Sequence, residues 1–443
     1  MPSIQTFYVE FDRPNAIYAP GEIISGNIVV NLVKQKTIRA LNLSAKGEAY
    51  VRWSEQVPER DSNGRIHFRT IYYAGRETYF HVTYPVLAKS KGCISPAKID
   101  STLSQSKILR EYFRINRQFV TYAIRRRAED FFREFYVMSS LISDGMAYIP
   151  AGLNRYPFHI QIPLNIPCSF EHKYGYIRYT IKAIIDRPWR FDHECKAAFT
   201  VITIYDLNAH RERCISLHDE VCKNFYTLCC FDGTMNVEIT IPTTGFVPGQ
   251  YIEVTLGLRN NNNIVQRVCA KLEQFLQFHA KGDFHISSTT KRDKSIVAGM
   301  QKMGPFDQNA VINLQIYVPP IPPSDLEFCS IIQLRYFLYI ILEVSGLHLN
   351  ISKEYPIVIG TLPLRPDPSA PMISSPPLTS TDFQSTSNEP DPLGFAPPSY
   401  EECCGSRVNN IKEHGESEYV YGANQPFAPR YPVFNFSSSY SHS

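Results

Sequence analysis

Long apolar runs, paired cysteine motifs and a strong charge bias are all missing from this sequence. The longest apolar run, Tyr336 to Leu342, is far shorter than the roughly 20 residues that a helix needs to span a bilayer. The 11 cysteines include no C-x-x-C pair and have no histidine at ligand spacing, so neither a disulfide framework nor a zinc site is indicated. A net charge of +3 gives no reason to expect a nucleic-acid partner.

Catalytic signatures are missing as well. No G-x-S-x-G, H-E-x-x-H, Gly-rich phosphate loop or G-x-G-x-x-G occurs. Asp192 to Cys195 brings two carboxylates, an imidazole and a thiol together, but neighbours in a hairpin point to opposite faces and do not converge on one atom. We therefore expect a solvated hairpin end there, and a protein that is not an enzyme and has no catalytic residue, metal or cofactor.

The composition that is present indicates a β-rich protein of two domains. Its 443 residues are too many for one ordinary domain, and 13% aromatic residues favour strands over helices. Residues 23–32 and 38–51 alternate bulky with polar side chains, and Asn63-Gly64 marks a hairpin. This pattern predicts antiparallel β-sandwiches.

The second half of the chain repeats features of the first. Three markers recur in the same order, with 18–24 matching 246–252, 158–163 matching 312–319, and 177–181 matching 334–338. The second and third markers lie 16 residues apart in the first copy and 17 in the second. We therefore predict one sandwich fold duplicated in tandem.

The first copy carries extra residues. Counted between the prolines of the first two markers, it spans 143 residues, whereas the second copy spans 71. Residues 86–145 account for most of the difference, because strand alternation stops there and an apolar stripe at helical spacing runs from Ile108 to Tyr122. With eleven Lys and Arg against six Asp and Glu, the segment is basic. We predict an α-helical insertion that is dispensable for folding, for which translated intron sequence is an alternative origin.

Two kinds of residue are candidates for membrane contact. Arg125 to Arg127 form either a site for an acidic lipid or a phosphorylated tail, or a solvated helix face, which we favour because acidic residues follow closely. The cysteine pairs Cys229-Cys230, placed in the bridge between the domains, and Cys403-Cys404 are either palmitoylation sites or ordinary reduced residues. Residues 1–6 lack the charged and apolar regions of a signal peptide, so we expect a cytoplasmic chain.

The tail from 363 to 443 is rich in proline, serine, threonine and asparagine. Such a segment buries too little apolar surface to offset its ordering entropy, so we predict that it is disordered. It contains Pro397-Pro398-Ser399-Tyr400, a P-P-x-Y pattern that resembles the peptides bound by WW domains. The two prolines favour an extended backbone and lower the entropy lost on binding. A degenerate copy, Pro429-Arg430-Tyr431, follows Ala428 instead of a proline, so we expect it to contribute little.

Together these features resemble the arrestin domain-containing proteins of the α-arrestin family. The residues that carry the resemblance are Pro20-Gly21-Glu22 with Gly26, Ile149 to Gly152 before Tyr156-Pro157-Phe158, and Tyr174 to Tyr179. The resemblance implies an all-β fold of two tandem arrestin-type, immunoglobulin-like sandwiches. It divides the chain into an N-terminal arrestin domain (1–210), a linker (211–224), a C-terminal arrestin domain (225–362) and the tail (363–443), and nothing in the family resembles 86–145.

The resemblance also implies a function. In this interpretation residues 397–400 recruit a WW-domain ubiquitin ligase of the HECT type, while the sandwiches contact a membrane receptor or transporter at the plasma membrane or on endosomes. The result is ubiquitination, endocytosis and endosomal sorting of that cargo. Family members usually carry two intact P-P-x-Y motifs, and this chain has one. The alternative is an arrestin-fold scaffold, similar to retromer subunits of like fold, that acts in protein transport without a ligase.

Overall fold

A computed structural model describes residues 4–62, 64–88, 146–227, 230–261, 264–282, 288–346, 348–365, 398–403 and 409–436. Within these residues the chain forms strands and one 3-10 helix, Leu207–Arg213. The strands are β1 (Ile4–Phe11), β2 (Ile17–Tyr18), β3 (Ile23–Leu32), β4 (Lys36–Ile38), β5 (Ala40–Arg60), β6 (Ile66–Ala88), β7 (Ala147–Ile149), β8 (Gly152–Gln161), β9 (Phe170–His172), β10 (Gly175–Asp186), β11 (His193–Val201), β12 (Leu217–Thr227), β13 (Cys230–Ile241), β14 (Gly245–Phe246), β15 (Tyr251–Arg259), β16 (Val265–Gly282), β17 (Ser288–Met303), β18 (Ala310–Tyr317), β19 (Ile332–Val344), β20 (Ile351–Ile359), β21 (Ser399–Glu402), β22 (Asn409–Asn410), β23 (Val420–Tyr421), β24 (Pro426–Phe427) and β25 (Arg430–Val433).

The first half of the chain is an antiparallel sandwich, as predicted. β3 pairs with β1 and β8 in one sheet, and β5 pairs with β6 and β10 in the other. Alternate residues of β3 point into the core, where Ile24, Ile28 and Val30 are fully buried. β5 is buried on nearly every residue from Ala40 to Val51, because its second face is covered by another part of the chain.

The second half is a sandwich of the same kind. β12, β13, β15 and β18 form one sheet, and β17, β16, β19 and β20 form the other. Buried and accessible residues alternate along β15 and β19, which places one face of each sheet in the core. The fold class is therefore two tandem sandwiches, in agreement with the sequence prediction.

Matching hydrogen bonds support the predicted duplication. The backbone N–H of Gly21 donates to Ile162 at 3.1 Å, and that of Gly249 donates to Val318 at 2.9 Å. Both glycines have positive φ, +85° and +97°, which favours glycine in each turn.

The third sequence marker is repeated with the same contact. The hydroxyl of buried Tyr179 donates to the carbonyl of Pro167 at 2.6 Å, and that of buried Tyr336 donates to Pro322 at 2.8 Å. The two tyrosines therefore hold equivalent turns in the two copies.

The two sandwiches are joined edge to edge. β6 of the first pairs with β16 of the second, with Tyr73 opposite Gly282, so that one 12-stranded sheet crosses the junction. His172 stacks on Phe278 at 5.0 Å between ring centroids, and its Nε2 lies 3.1 Å from Asp293. Aromatic stacking and polar pairing therefore add to the strand pairing at this junction.

Two sequence-based boundaries and the placement of one cysteine pair need correction. The linker predicted at 211–224 ends earlier, because β12 begins at Leu217 and belongs to the second sandwich. Cys229 is outside the described residues, and Cys230 is the first residue of β13, within the second sandwich rather than between the domains. β6 continues to Ala88, past the predicted start of the insertion at 86. The predicted helix, with Arg125 to Arg127, falls on residues 89–145, outside the described residues.

Candidate functional site

Part of the tail folds back onto the first sandwich. β21 pairs antiparallel with β25, with Tyr400 opposite Pro432. β23 pairs in parallel with β11, with Val420 opposite Glu194, and so extends the large sheet. The prediction of disorder therefore does not hold for residues 398–403 and 409–436. Residues 366–397 and 404–408 lie outside the described part of the chain.

The docked tail carries buried apolar side chains that its overall composition did not predict. Each of the following is less than a tenth exposed: Ile411, Val420, Ala423, Tyr431, Val433 and Phe434. Burying one large side chain of this kind contributes about 1.5–3 kcal/mol, which offsets the entropy of ordering the segment. The run Tyr431 to Phe436, with three aromatic residues, was the available signal in the sequence.

The P-P-S-Y motif lies at the start of this docked segment. Pro397 is outside the described residues, Pro398 precedes β21, and Ser399 and Tyr400 begin it. Alternate residues of an extended chain share a face, and both Pro398 and Tyr400 line a cavity of about 330 Å³ with Pro432. Tyr400 is 43% exposed, so more than half of its surface is covered. The side chains that a WW domain would contact are thus partly covered by other parts of the protein.

The tyrosine of the degenerate motif anchors the tail. Tyr431 is 1% exposed, and its hydroxyl donates to the carbonyl oxygen of Ser169 at 2.8 Å. Burial raises the pKa of Tyr431 well above its usual value, so the phenol is neutral. The carbonyl of buried Pro429 accepts from the Cys403 amide at 2.9 Å, and Arg430 contacts Glu402 at 3.2 Å. These three residues hold the tail in place and do not present a second accessible ligand.

Phe434 extends the docked tail to the junction of the two sandwiches. Its amide donates to the carbonyl of Pro248 at 3.0 Å, and its side chain packs in a buried cluster that includes Leu207 and Val247. A Cβ at Gly249 would lie 2.0 Å from the carbonyl oxygen of Phe434. The glycine of the second Pro-Gly turn is therefore needed for the close approach of the tail as well as for its own positive φ.

A loop of the tail places two carboxylates on three lysines. β22 pairs with β24 and closes the loop 411–425. Glu413 contacts the Nζ atoms of Lys46 and Lys196 at 2.7 and 2.6 Å, and Glu416 contacts those of Lys182 and Lys196 at 2.8 and 3.3 Å. We call Lys46, Lys182 and Lys196, which lie on β5, β10 and β11, the lysine cluster.

The lysine cluster is unfavourable in the sandwich unless carboxylates pair with it. Lys182 lies directly opposite Lys196 in the ladder of β10 and β11, and the Lys196 side chain is 1% exposed. Like charges opposite each other destabilise a sheet, and a buried ammonium is costly unless it is paired. Glu194 also contacts Lys182, at 2.8 Å, whereas both acidic contacts that the structure describes for Lys196 come from the tail.

The tail carboxylates are ionised at physiological pH. Burial acts to raise the pKa of Glu413, but the charges of Lys196 and Lys46 and their hydrogen bonds outweigh it and lower the pKa to about 2. Burial likewise opposes ionisation of Glu416, and hydrogen bonding to Lys182 outweighs it, so its pKa is also lowered. A carboxyl with a lowered pKa contributes stability above its unfolded-state value of 4.5, and Glu413 loses this contribution as the pH falls toward about 2.

A buried ion pair lies in the same sheet. Arg178 donates two hydrogen bonds to Glu171, at 2.6 and 2.8 Å, and neither side chain is more than 3% exposed. The side-chain amide of Asn409 in the tail donates to the same carboxylate at 3.3 Å. The ring of Tyr176 lies 4.0 Å from the Arg178 guanidinium carbon. The tail therefore contacts two sets of buried charges on the first sandwich.

The other candidate site is a hairpin end, as predicted, but it is not solvated throughout, since Cys195 is 1% exposed. Asp192 to Cys195 lies at the end of the hairpin of β10 and β11, with Glu194 paired to Lys182 and Cys195 buried. Among the described residues, no group of three or more His, Cys, Asp or Glu side chains is arranged to hold a metal ion. In the same part of the chain, no helix has both the length and the apolar character to cross a membrane.

Comparison with protein families gives two matches. The family model described as "Arrestin (or S-antigen), N-terminal domain" matches residues 7–95 and 107–208, and that described as "Arrestin (or S-antigen), C-terminal domain" matches 232–364. The expectation that nothing in the family resembles 86–145 is therefore wrong in part, because the match includes 86–95 and 107–145.

Several curated proteins are similar over long stretches. Arrestin domain-containing protein 17 of Caenorhabditis elegans is 25% identical over 379 residues, covering 82% of this chain and 72% of that protein. Arrestin domain-containing protein 1 of Homo sapiens is 27% identical over 241 residues, covering 54% of this chain and 53% of that protein. Arrestin domain-containing protein 4 of Mus musculus is 21% identical over 355 residues, covering 80% and 70%. With two tandem arrestin sandwiches and matches to both arrestin domains, the chain belongs to the α-arrestin family of arrestin domain-containing proteins.

Proposed function

We propose that this protein is a non-enzymatic adaptor that recruits a WW-domain ubiquitin ligase of the HECT type to membrane-protein cargo. The observation that carries the proposal is the sequence Pro397-Pro398-Ser399-Tyr400, which follows the second arrestin domain of a chain from a family of trafficking adaptors. The motif has the two prolines and the tyrosine that an aromatic-lined WW groove binds.

One motif of this kind binds weakly, so stable recruitment requires a further contact. The degenerate Pro429-Arg430-Tyr431 does not supply it, because Tyr431 is 1% exposed in the docked tail. Clustering of cargo, or a second contact between the ligase and the arrestin domains, would raise the effective concentration of the motif.

The two sandwiches are the proposed cargo-binding part. They would contact a membrane receptor or transporter, bring the ligase beside it, and so promote its ubiquitination, endocytosis and endosomal sorting. The protein would act from the cytoplasm at the plasma membrane and on endosomes. This role requires no catalytic residue and no cofactor in the adaptor itself.

A peptide titration tests the ligase contact directly. A fluorescent peptide spanning Phe395 to Cys404 is titrated with purified WW domains of HECT-type ligases. We expect saturable binding that Tyr400→Ala abolishes, because the tyrosine fills its own pocket in the groove. Ser399→Ala is the matched control and should bind as the original peptide does, since the pattern accepts any residue at that position.

Equal binding by the original and Tyr400→Ala peptides, or no binding by either, would refute the ligase contact. The alternative scaffold role, in which the arrestin domains act in protein transport without a ligase, would then be favoured.

A further inference from the structure

We propose that residues 409–436 form an intramolecular mask that competes with WW domains for Pro398 and Tyr400. This inference rests on the proposed function and concerns the regulation of the same motif. It predicts that most molecules of the full-length chain hold the motif in a form that the ligase cannot bind.

The motif side chains lie against other residues of the tail and the first sandwich. Pro398 and Tyr400 both line the cavity beside Pro432, and Tyr400 is opposite Pro432 in the pairing of β21 with β25. A WW domain binds a free polyproline II segment and packs against its proline and tyrosine side chains. In the paired strand both side chains lie against the cavity lining on one side while Tyr400 stays 43% exposed, and the β21 backbone is paired with β25. Because a WW domain needs the unpaired segment with both side chains accessible, strand pairing and WW binding exclude each other.

The partner strand β25 is anchored to both sandwiches. Tyr431 is buried with its hydroxyl on Ser169 at 2.8 Å, and the Phe434 amide donates to Pro248 at 3.0 Å. Because alternate residues of a strand face opposite ways, β25 uses Tyr431 and Val433 to pack on the protein while its backbone pairs with β21. Freeing the motif therefore requires separation of β21 from an anchored strand.

The loop 411–425 connects β25 to the lysine cluster. This loop, closed by the pairing of β22 with β24, ends five residues before β25 begins at Arg430. Its carboxylates Glu413 and Glu416 are the acidic partners of buried Lys196. Loss of the loop would leave that ammonium buried without them, so the lysine cluster favours the docked tail.

The loop is shaped for this contact. The Glu416 amide donates to the carbonyl of Glu413 at 3.1 Å, and Gly415 between them has a φ of +84°. This turn directs both carboxylates to the same side. A Cβ at Gly422 would lie 2.4 Å from the carbonyl oxygen of Lys196, so the chain also approaches β11 closely after the turn.

The test compares the free peptide with the complete chain. Purified WW domain is titrated against the peptide Phe395 to Cys404 and against full-length protein. We expect full-length protein to bind at least about tenfold more weakly, since apparent affinity falls with the fraction of molecules that are competent to bind.

Variants that remove the loop carboxylates test whether these groups hold the mask in place. Glu413→Gln with Glu416→Gln in the full-length chain should bring the affinity back toward that of the peptide. Glu418→Gln is the matched control, because its carboxylate pairs with Lys412 within the tail and contacts none of the lysine cluster in the described structure. The double variant should still show a cooperative melting transition of the sandwiches, at a lower temperature because Lys196 loses its acidic partners, and this is measured in the same samples.

The possible outcomes distinguish failure of the mask from failure of the proposed function. Equal affinities of peptide and full-length protein would overturn the mask while the ligase contact stands. The mask would also be overturned if full-length protein binds the WW domain weakly but the double variant raises its affinity no more than Glu418→Gln does. The lysine cluster would then not hold the tail. Failure of the peptide itself to bind would refute the proposed function.

Discussion

At the scale of single residues, the first sandwich depends on charges placed out of contact with water. Arg178 and Glu171 form a two-point ion pair in which neither side chain is more than 3% exposed. A buried pair of this kind adds little net stability compared with an apolar pair of the same size. Removing one partner is much more harmful, because the other charge stays buried alone.

We therefore expect Arg178→Met to lower the free energy of unfolding by about 3–5 kcal/mol. The double variant Arg178→Met with Glu171→Met should cost less than the single Arg178→Met, since no uncompensated carboxylate remains. Chemical denaturation of the three proteins measures both quantities. A loss below about 1 kcal/mol in the single variant would mean that this pair behaves as a solvated surface ion pair.

At the scale of elements, the short strand β9 brings a histidine to the contact between the sandwiches. His172 stacks on Phe278 from β16 and lies 3.1 Å from Asp293 of β17. Burial, together with the neighbouring charge of Lys173, lowers the pKa of His172 to about 4, although Asp293 acts in the opposite direction. The imidazole is therefore neutral in the folded protein at neutral pH.

The lowered pKa predicts a loss of stability on acidification. The folded protein takes up a proton at His172 less readily than the unfolded chain, so stability falls as the pH drops below 6.5 and stops falling near 4. At pH 5 the loss from this one group is about 2 kcal/mol.

His172→Phe keeps the ring stack and removes the titration. Denaturation of both proteins at pH 7 and pH 5 should show about 2 kcal/mol less acid destabilisation in the variant. Asp293 keeps Lys173 as a partner at 3.1 Å, which limits the cost of the substitution. Identical pH dependence in the two proteins would contradict the assignment.

At the scale of the whole molecule, the segment 89–145 leaves and re-enters the first sandwich at neighbouring positions. Ala88 is opposite Ala40, and Ala147 is opposite Ile38 two residues away on the same stretch of chain. A short connection can therefore join the two ends, and loop-closure entropy grows only slowly with loop length.

Replacing residues 89–145 by a short Gly/Ser linker should leave a protein that melts cooperatively and binds WW domains with the same affinity as the full-length chain. Circular dichroism melts measure the cooperativity of unfolding. Titration of the variant and of the full-length chain with the same WW domain measures the affinity. An aggregated or unfolded product would mean that part of 107–145, which the N-terminal arrestin family match includes, completes the core of the first sandwich.

The sequence alone was sufficient to predict the two sandwiches. Alternation along strands and the Pro-Gly turns at Gly21 and Gly249 are local signals, because side-chain period and backbone φ depend on the residue and its neighbours. The repeated tyrosines Tyr179 and Tyr336 followed from the same periodic pattern, and their equivalent contacts were found in the structure. The family and the P-P-S-Y motif were likewise readable from short stretches of sequence.

The docking of the tail was decided only by the tertiary structure. Glu413 and Lys196 are 217 residues apart, and Tyr431 and Ser169 are 262 apart. Amino-acid composition indicates whether a segment can bury enough apolar surface to fold by itself, and the tail has too few apolar residues to do so. The tail is ordered because its carboxylates pair with a buried ammonium and its apolar side chains pack in a cleft of the first sandwich. A local sequence pattern in the tail cannot predict this, because the partners lie on another part of the chain.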